Sequence, residues 1–524
     1  MRVACNIAED IAGLSYMLIG MPECGIYSRG MTSMPEGAGG EQRRIYVLDA
    51  NEVVFGCRQG IVDALKIMDG EGARAILMIA TCVTDLIGED FDGIISETQL
   101  LLNARLSYVT LGQFCTFGSA MGTWKTAEAL CALMDPPRAE PVQTLAALDS
   151  PDKPSGPIHA ISDPAHTASY PSYIISDTTY VTPNQTGTTS GQTHITSDSY
   201  GYFQDTTYII SSPTNTMFNQ AHTSPGTTHA APGQTQTASD PIRATPAPAH
   251  TSPGASVRPV RRVANALFIE PWRNKNDTVK FPLIVGALRD EGVEIRALAA
   301  GATLDDYISA PDASLNLVLS SYTQPLAARM LKKFGVPYSP LHNAFAVADI
   351  DREYGGIADM FGIYWGDRFK PWRDMAAALE KRAEKELRGL RYAMLPGVDM
   401  PVALSLYLSG FGMEPLIINI EDFHQEDAGY ARQMKAMGFD PPVCRIMNID
   451  FDIGIIGRLK PDICFGYLPD PPAPVEGLAC AEEMGDYFGV TGYERTAGIL
   501  ARVFTVLETG KTGERMDLYG PAPV

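Results

Sequence analysis

Short apolar runs of strand length alternate with amphipathic runs of helix length through most of this chain, and that alternation confines it to α/β architectures built on parallel sheets. Ahead of residue 140 the order is strand "RRIYVLD", turn "NEVVFGCRQG", helix "IVDALKIMDG", strand "ARAILMIAT", then "LSYVTLG" and a helix around "GTWKTAEALCALM". The alternation resumes with "NALFIEP", helix "FPLIVGALRDEG", strands "VEIRALAA" and "LNLVLSS", and helix "PLAARMLKKFG". A third block follows the charged helix "WRDMAAALEKRAEKELRG". It contains strand "RYAMLPG", helix "PVALSLYLSGFG", strand "EPLIINIE", helix "AGYARQMKAMG" and strand "DICFGYLP", and closes with helix "TAGILARVFTVLE". Three Rossmann-like domains with parallel sheets are therefore expected, at 1–139, 259–372 and 373–524.

Between them, 140–258 changes to Thr, Ser, Pro, Gly, His and Tyr, with "AHTSPG" at Ala221 and again at Ala249. A stretch of this composition buries too little apolar surface to offset chain entropy, and its prolines oppose regular helix or central strand. It is expected to be a disordered surface insertion. Its tyrosine-bearing patches, "YPSYIISDTTYV" and "YGYFQDTTYIISS", are candidates for a transient hairpin or a binding contact, against a tolerated insertion with no such role.

Sixty-one acidic against 41 basic residues give a formal charge of −20, which argues against an electrostatic footprint for nucleic acid or an anionic membrane. No apolar run approaches the roughly 20 residues of a membrane span, and "MRVACNIAEDIAG" lacks the pattern of a secretory leader, so a cytoplasmic location is expected. Nine cysteines at irregular spacings do not make a disulfide framework; metal ligation or free thiols fit better. Six of the eight histidines (His159, His166, His194, His222, His229 and His250) lie in the insertion. Only His342 and His424 remain, too few for a histidine-rich metal site. Each is a candidate proton donor in a cleft, against a surface or core role.

Cys24 and Cys82 each end an apolar run and begin a Gly-marked turn, in "SYMLIGMPECGIYSRG" and "ARAILMIATCVTDLIGED". Open α/β sheets bind ligands beyond the carboxyl ends of their strands, so both thiols are expected on one rim, with Cys5 and Cys57 nearby. Iron–sulfur clusters accept cysteines distant in sequence, so separate loops can each deliver one thiolate. Cys115, Cys131, Cys444, Cys464 and Cys480 fall in strand or helix patterns and read as packing thiols. Arg29 is either a donor to an anionic group or half of a surface ion pair. Glu89 and Asp90 open a helix and favour its positive end. No GxGxxG is present, so nucleotide binding by this chain has no motif to support it.

At these residues the chain resembles the large-subunit family of nitrogenase component 1, whose members include cluster-assembly scaffolds and tetrapyrrole reductases. "GMPECGIYSRG" is similar to the family's Gly-Pro-x-x-Cys-Gly-x-x-Ser-Arg segment, "NEVVFG" to its Asp/Glu-x-Val-Phe-Gly-Gly turn, and "ATCVTDLIGEDFDGI" to its Cys-x-x-x-Ile-Gly-Asp-Asp segment. Farther on, "LNLVLSS" with "ARMLKKFGVPY" resembles the segment leading into a cofactor-ligating cysteine, and "RLKPDICFGYLP" the Lys-Pro-Asp strand. The resemblance implies an iron–sulfur cluster at a subunit interface, of 4Fe–4S or P-cluster-like type, with Cys24 and Cys82 as ligands and Cys5 as the third. Cys57, in place of the second glycine of the Phe-Gly-Gly turn, is either a further ligand or a neighbour of the cluster.

The departures bear on activity. Ser320 or Ser321 falls where the family places the cysteine that anchors its catalytic metallocluster, and Thr491 lies near its histidine anchor. The family's active-site histidine falls at about Thr123. No nitrogenase-type catalytic cofactor is expected, and catalytic residues stay unassigned. The resemblance thus implies an oxidoreductase subunit that carries low-potential electrons from an ATP-dependent iron-protein reductase to a small-molecule or tetrapyrrole substrate in an interdomain cleft, a substrate other than dinitrogen. A scaffold for cluster assembly or transfer without redox turnover is the alternative. The expected partners are a homologous subunit or a second copy of the chain, besides the reductase.

Overall fold

The computed structural model describes residues 1–29, 37, 39–112, 118–137, 209–210, 261–269, 281–395, 397–420, 423–424, 426–445, 449–466, 480–481 and 490–509. The first unit is a parallel four-stranded sheet of β1 (Ser15–Gly20), β2 (Arg43–Val47), β3 (Ala75–Ala80) and β4 (Arg105–Thr110), in the order β2-β1-β3-β4. Every residue of β1 and β3 is buried, as the unbroken apolar runs require of central strands covered on both faces. Side chains alternate between two cores. Tyr16, Leu18, Leu77 and Ile79 point to one, and Met17, Ile19, Ile76 and Met78 to the other.

Seven helices flank this sheet: α1 (Arg2–Glu9), α2 (Pro22–Arg29), α3 (Ala50–Phe55), α4 (Arg58–Gly70), α5 (Cys82–Leu86), α6 (Phe91–Thr98) and α7 (Gly118–Leu130). The α4 residues Ile61, Leu65 and Met68, together with Ile94 of α6, cover one face; Ala4, Cys5, Ile7 and Ala8 of α1 help cover the other, with Leu130 of α7. A capping box starts α3, where the Asp49 side chain accepts from Asn51 and Glu52 N–H while Glu52 bonds back to Asp49 N–H.

Ile209 and Ile210 form β5, two residues of the second tyrosine-bearing patch. The rest of the expected disordered insertion, 140–258, lies outside the described residues, as do Cys115 and the side chain of Arg29.

The second unit is again a parallel sheet, of β6 (Val263–Leu267), β7 (Glu294–Leu298), β8 (Leu315–Val318) and β9 (Tyr338–Ser339), ordered β7-β6-β8-β9. It shares a core with the first: Leu267, Val318, Leu326 and Met330 pack in one cluster with Leu18, Leu77 and Leu130. Ala12 bridges Thr303, and Arg74 pairs with Asp305 at 2.5 Å.

The third sheet joins β10 (Arg391–Met394), β11 (Glu414–Ile420), β12 (Val443–Arg445), β13 (Ile463–Phe465) and β14 (Cys480–Ala481), in the order β14-β13-β10-β11-β12-β5, with only β5 antiparallel. The closing helix Tyr493–Thr509 ties the last two units. Tyr493 and Ala497 enter the core of the second, while Ile499, Leu500 and Val503 enter that of the third. Among the described residues no helix is long and apolar enough to cross a membrane.

Candidate functional site

Two places in this fold gather chemistry-bearing residues, a rim of cysteines on the first unit and a buried polar junction among all three. The rim follows from strand register. In the parallel pair β1 and β3, Ile19 lies beside Ala80, so both strands end together. Cys24 follows β1 within α2, and Cys82 follows β3 as the first residue of α5. A side chain at Gly20 would run into Thr81, so glycine lets the two strand ends approach where the cysteine-bearing turns leave the sheet. Next to β1 on its other side, Val47 of β2 pairs with Gly20, and the chain runs from there through α3 to Cys57. Cys24 and Cys82 thus leave the sheet after the carboxyl ends of adjacent parallel strands, and Cys57 follows β2 beyond α3.

Cys24 and Cys82 are half-buried, and Cys5 is fully buried in α1, within the core on which Cys24 packs. Burial lowers the Met1 amine, and charge on Cys5 and Cys24 opposes the shift, so both thiols lie within electrostatic reach of that amine. Soft thiolates are the donors that iron–sulfur clusters take, and Cys24 and Cys82 are partly exposed. Among the described residues no group of three or more His, Cys, Asp or Glu is itself disposed around a metal position.

Cys57 differs from the other three. Its Sγ donates to Glu89 Oε2 at 3.2 Å and its N–H donates to the same oxygen at 2.8 Å. Burial first, then the Glu89 contact, pushes the thiol up to about 12, so it stays protonated at neutral pH. Glu89 therefore serves Cys57, which differs from the helix-opening role expected for it. Asp90 alone caps α6, accepting from Gly93 N–H at 2.9 Å. The same side of the unit exposes large apolar residues: Phe55 is 84% exposed, Val54 70% and Leu86 66%.

The junction is assembled from residues that follow strand ends in the second and third units, with α7 of the first. After β8, Ser320 Oγ donates to Ile269 O at 3.1 Å and accepts from Tyr322 N–H at 3.3 Å, while Ser321 Oγ lies 2.8 Å from His424 Nδ1. The His424 ring meets Tyr322 at 4.7 Å and Trp124 of α7 at 5.6 Å between centroids. The backbone N–H of His424 donates to Asp427 Oδ2 at 2.7 Å. His342 Nε2 lies 3.0 Å from Glu426 Oε2, which also accepts from Tyr430 O–H at 3.1 Å. Arg495, in the closing helix, is buried; its Nη1 donates to His342 O at 2.7 Å and its guanidinium stacks on Phe345 at 3.9 Å. Thr123 and Thr491 are also fully buried.

Burial governs the protonation of this cluster. It pushes His424 down to about 4, leaving a neutral ring, and raises Asp427 to about 7 against the His424 N–H bond, which opposes the rise, with the Glu426 charge adding to it. Glu426 is held below the usual carboxylate range: burial raises it, and the His342 charge and hydrogen bonds from His342 and Tyr430 overcome that. Both histidines thus sit in the polar core of the junction. Sequence reasoning missed Trp124, Glu426, Asp427 and Arg495, although "EDFHQED" directly follows the apolar run of β11, the place where sheet ligands collect.

Against known proteins, the family model described as nitrogenase component 1 type oxidoreductase matches residues 1–158 and 272–508. The chain belongs to this family. Among solved structures it is similar to one described as "Nitrogenase Cp1 at pH 6.5", at 12% identity and a TM-score of 0.55, covering 97% of this chain and 92% of that one. A second, "Nitrogenase Cp1 at pH 5", matches at 13% identity and a TM-score of 0.47, covering 97% and 88%. The first likeness concerns the fold, three parallel-strand sheets in an α/β arrangement. No curated protein matches the chain by sequence.

Proposed function

We propose that this chain is an electron-accepting subunit that binds an iron–sulfur cluster through Cys24, Cys82 and Cys5 at a subunit interface and serves reduction of a substrate held in the three-unit junction. When bound, such a cluster supplies one-electron transfer at low potential. The observation that carries the reading is the delivery of Cys24 and Cys82 to one rim by two adjacent parallel strands, beside exposed Phe55, Val54 and Leu86. Half-buried thiols in an apolar surround suit ligation completed under a partner, because the partner excludes water from the thiolates while its own donors fill the remaining positions. The partner is a homologous subunit or a second copy, and the electron donor an ATP-dependent iron-protein reductase. Cys57 is held off by Glu89 and joins the ligand set only if that contact opens.

Substrate selection rests on the junction. Ser320 and Ser321 are occupied by hydrogen bonds to Ile269 O and His424, and a serine hydroxyl is a poor ligand for an iron–sulfur metallocluster. The substrate in this reading is a small unsaturated molecule or a tetrapyrrole rather than dinitrogen, because these serines do not anchor the family's catalytic metallocluster. The same serines favour the second reading, a scaffold that holds a cluster on the rim and hands it on. Anaerobic reconstitution separates the two: a catalyst retains its iron through repeated reduction by the reductase, whereas a scaffold loses it to an apo acceptor.

A further inference from the structure

The two tyrosine-bearing patches of the insertion share sequence as well as composition. Tyr-Ile-Ile-Ser occurs at 173–176 and again at 208–211, and Asp-Thr-Thr-Tyr at 177–180 and again at 205–208. Tyr-Ile-Ile-Ser carries no charge and no proline, and its tyrosine and paired isoleucines favour a strand. Of the two copies, Ile209 and Ile210 lie among the described residues, and they form β5, the outermost strand of the third sheet. Ile210 pairs antiparallel with Val443 of β12, and Ile209 with Cys444. The other side of β12 pairs with β11, Ile418 beside Val443 and Asn419 beside Cys444. The family match breaks between 158 and 272, so both copies of the motif lie outside it, whereas β12 lies within it.

We propose that the outer edge of β12 is a strand-docking site whose occupant is this chain's own Tyr-Ile-Ile-Ser motif, and that either copy of the motif takes the edge. In strand addition the main-chain hydrogen bonds supply the affinity, and they do not depend on which copy brings the backbone. The copies are identical over four residues, so Ile174 takes the register position of Ile209, opposite Cys444. Described residues of the first unit end at 137 and those of the second begin at 261. Loop-closure entropy changes only slowly with loop length, so docking through 173–176 or through 208–211 costs nearly the same. The occupant is the chain itself rather than a second copy, because a tethered motif meets the edge at high effective concentration. A sheet edge left uncovered pairs readily with other chains, and the docked motif guards the third sheet against that.

The test uses the full chain with its co-purifying partners and glutathione disulfide as oxidant, with links read by peptide mass mapping. Ile209→Cys should form a disulfide to Cys444 within one chain, because directly opposite antiparallel residues bring their Cα atoms within bonding range. The two thiols give up two electrons and two protons, and glutathione disulfide takes them up as two glutathione thiols. Ile210→Cys, one residue out of register with Cys444, should link to it about 10-fold less. Ile174→Cys should link to Cys444 weakly while 208–211 is intact and strongly once Ile209→Pro and Ile210→Pro remove the N–H that faces β12. Hydrogen exchange over Val443–Arg445 needs no new cysteine: it should rise partly in that two-proline variant and by about 10-fold when Ile174→Pro and Ile175→Pro are added. A link from Ile209→Cys no more frequent than from Ile210→Cys, or exchange unchanged in the four-proline variant, overturns the proposal. Links found only between two chains overturn it too, since a second copy would then be the occupant. An Ile174→Cys that stays unlinked in the two-proline background overturns the equivalence of the two copies.

Discussion

The cysteine rim and the three-unit junction are built by the same rule and finish with opposite surfaces. Both lie beyond the carboxyl ends of parallel strands, where backbone turns release side chains from the sheet. On the rim those turns carry thiols and large apolar side chains that stay exposed. In the junction the second and third units and α7 already close over one another, so histidines, carboxyls and Arg495 are desolvated and must satisfy one another. The lesson is that one fold places a partly exposed thiol rim and a closed polar junction at equivalent strand ends, and packing between units decides which is which.

The largest effect that would break this contrast is at the rim. Cys24→Ala and Cys82→Ala are each expected to abolish iron binding while the far-ultraviolet circular dichroism stays unchanged, since both side chains are half-buried at the edge of the core. Retained iron would remove the rim from the account. Next comes Phe55→Asp. Replacing an 84% exposed ring should not lower the melting temperature, yet it should weaken association by about 2 kcal/mol or more, seen by sedimentation at graded concentration. Ser321→Ala inverts that pattern. It leaves His424 Nδ1 buried without a partner, costs about 1–3 kcal/mol in denaturant unfolding, and leaves association alone.

The smallest expected effect is on pH dependence. Asp427 and Glu494 are both raised by burial to about 7, so the native state keeps protons that the unfolded chain has lost. Their contribution to stability is fully present below the ordinary carboxylate range and fades as pH rises through about 7. His424 acts in the other sense, because its lowered value costs stability as pH falls from about 6.5 towards 4. Between pH about 6.5 and 8 only the carboxyls titrate among these three, and stability should fall with rising pH. Asp427→Asn should flatten that slope in thermal melts, and an unchanged slope would place the titration elsewhere.

How much of this was readable beforehand depends on whether a feature is local. The rim was legible because β1 and β3 are unbroken apolar runs that stop at a turn, so the positions of Cys24 and Cys82 follow from the sequence of each run alone. Helix α1 was not foreseen, although Ala4, Cys5, Ile7 and Ala8 recur at helical spacing on one buried face; its opening stretch was weighed only as a secretory leader. Glu89 was assigned to a helix dipole because its partner, Cys57, lies 32 residues away. The junction was the least legible part. Nothing near His424 in sequence announces Ser321, which is 103 residues distant, and the protonation of Asp427 comes from desolvation by packed units rather than from any motif.

The central claim is that Cys24 and Cys82 hold an iron–sulfur cluster on the rim. The direct measurement is anaerobic purification with co-purifying partners, followed by iron and sulfide analysis and electron paramagnetic resonance of the dithionite-reduced sample. Stoichiometric iron and sulfide, with a cluster signal lost in both Cys24→Ala and Cys82→Ala, is the predicted result. A colourless, iron-free protein that cannot be reconstituted, or a signal that survives both substitutions, would contradict it.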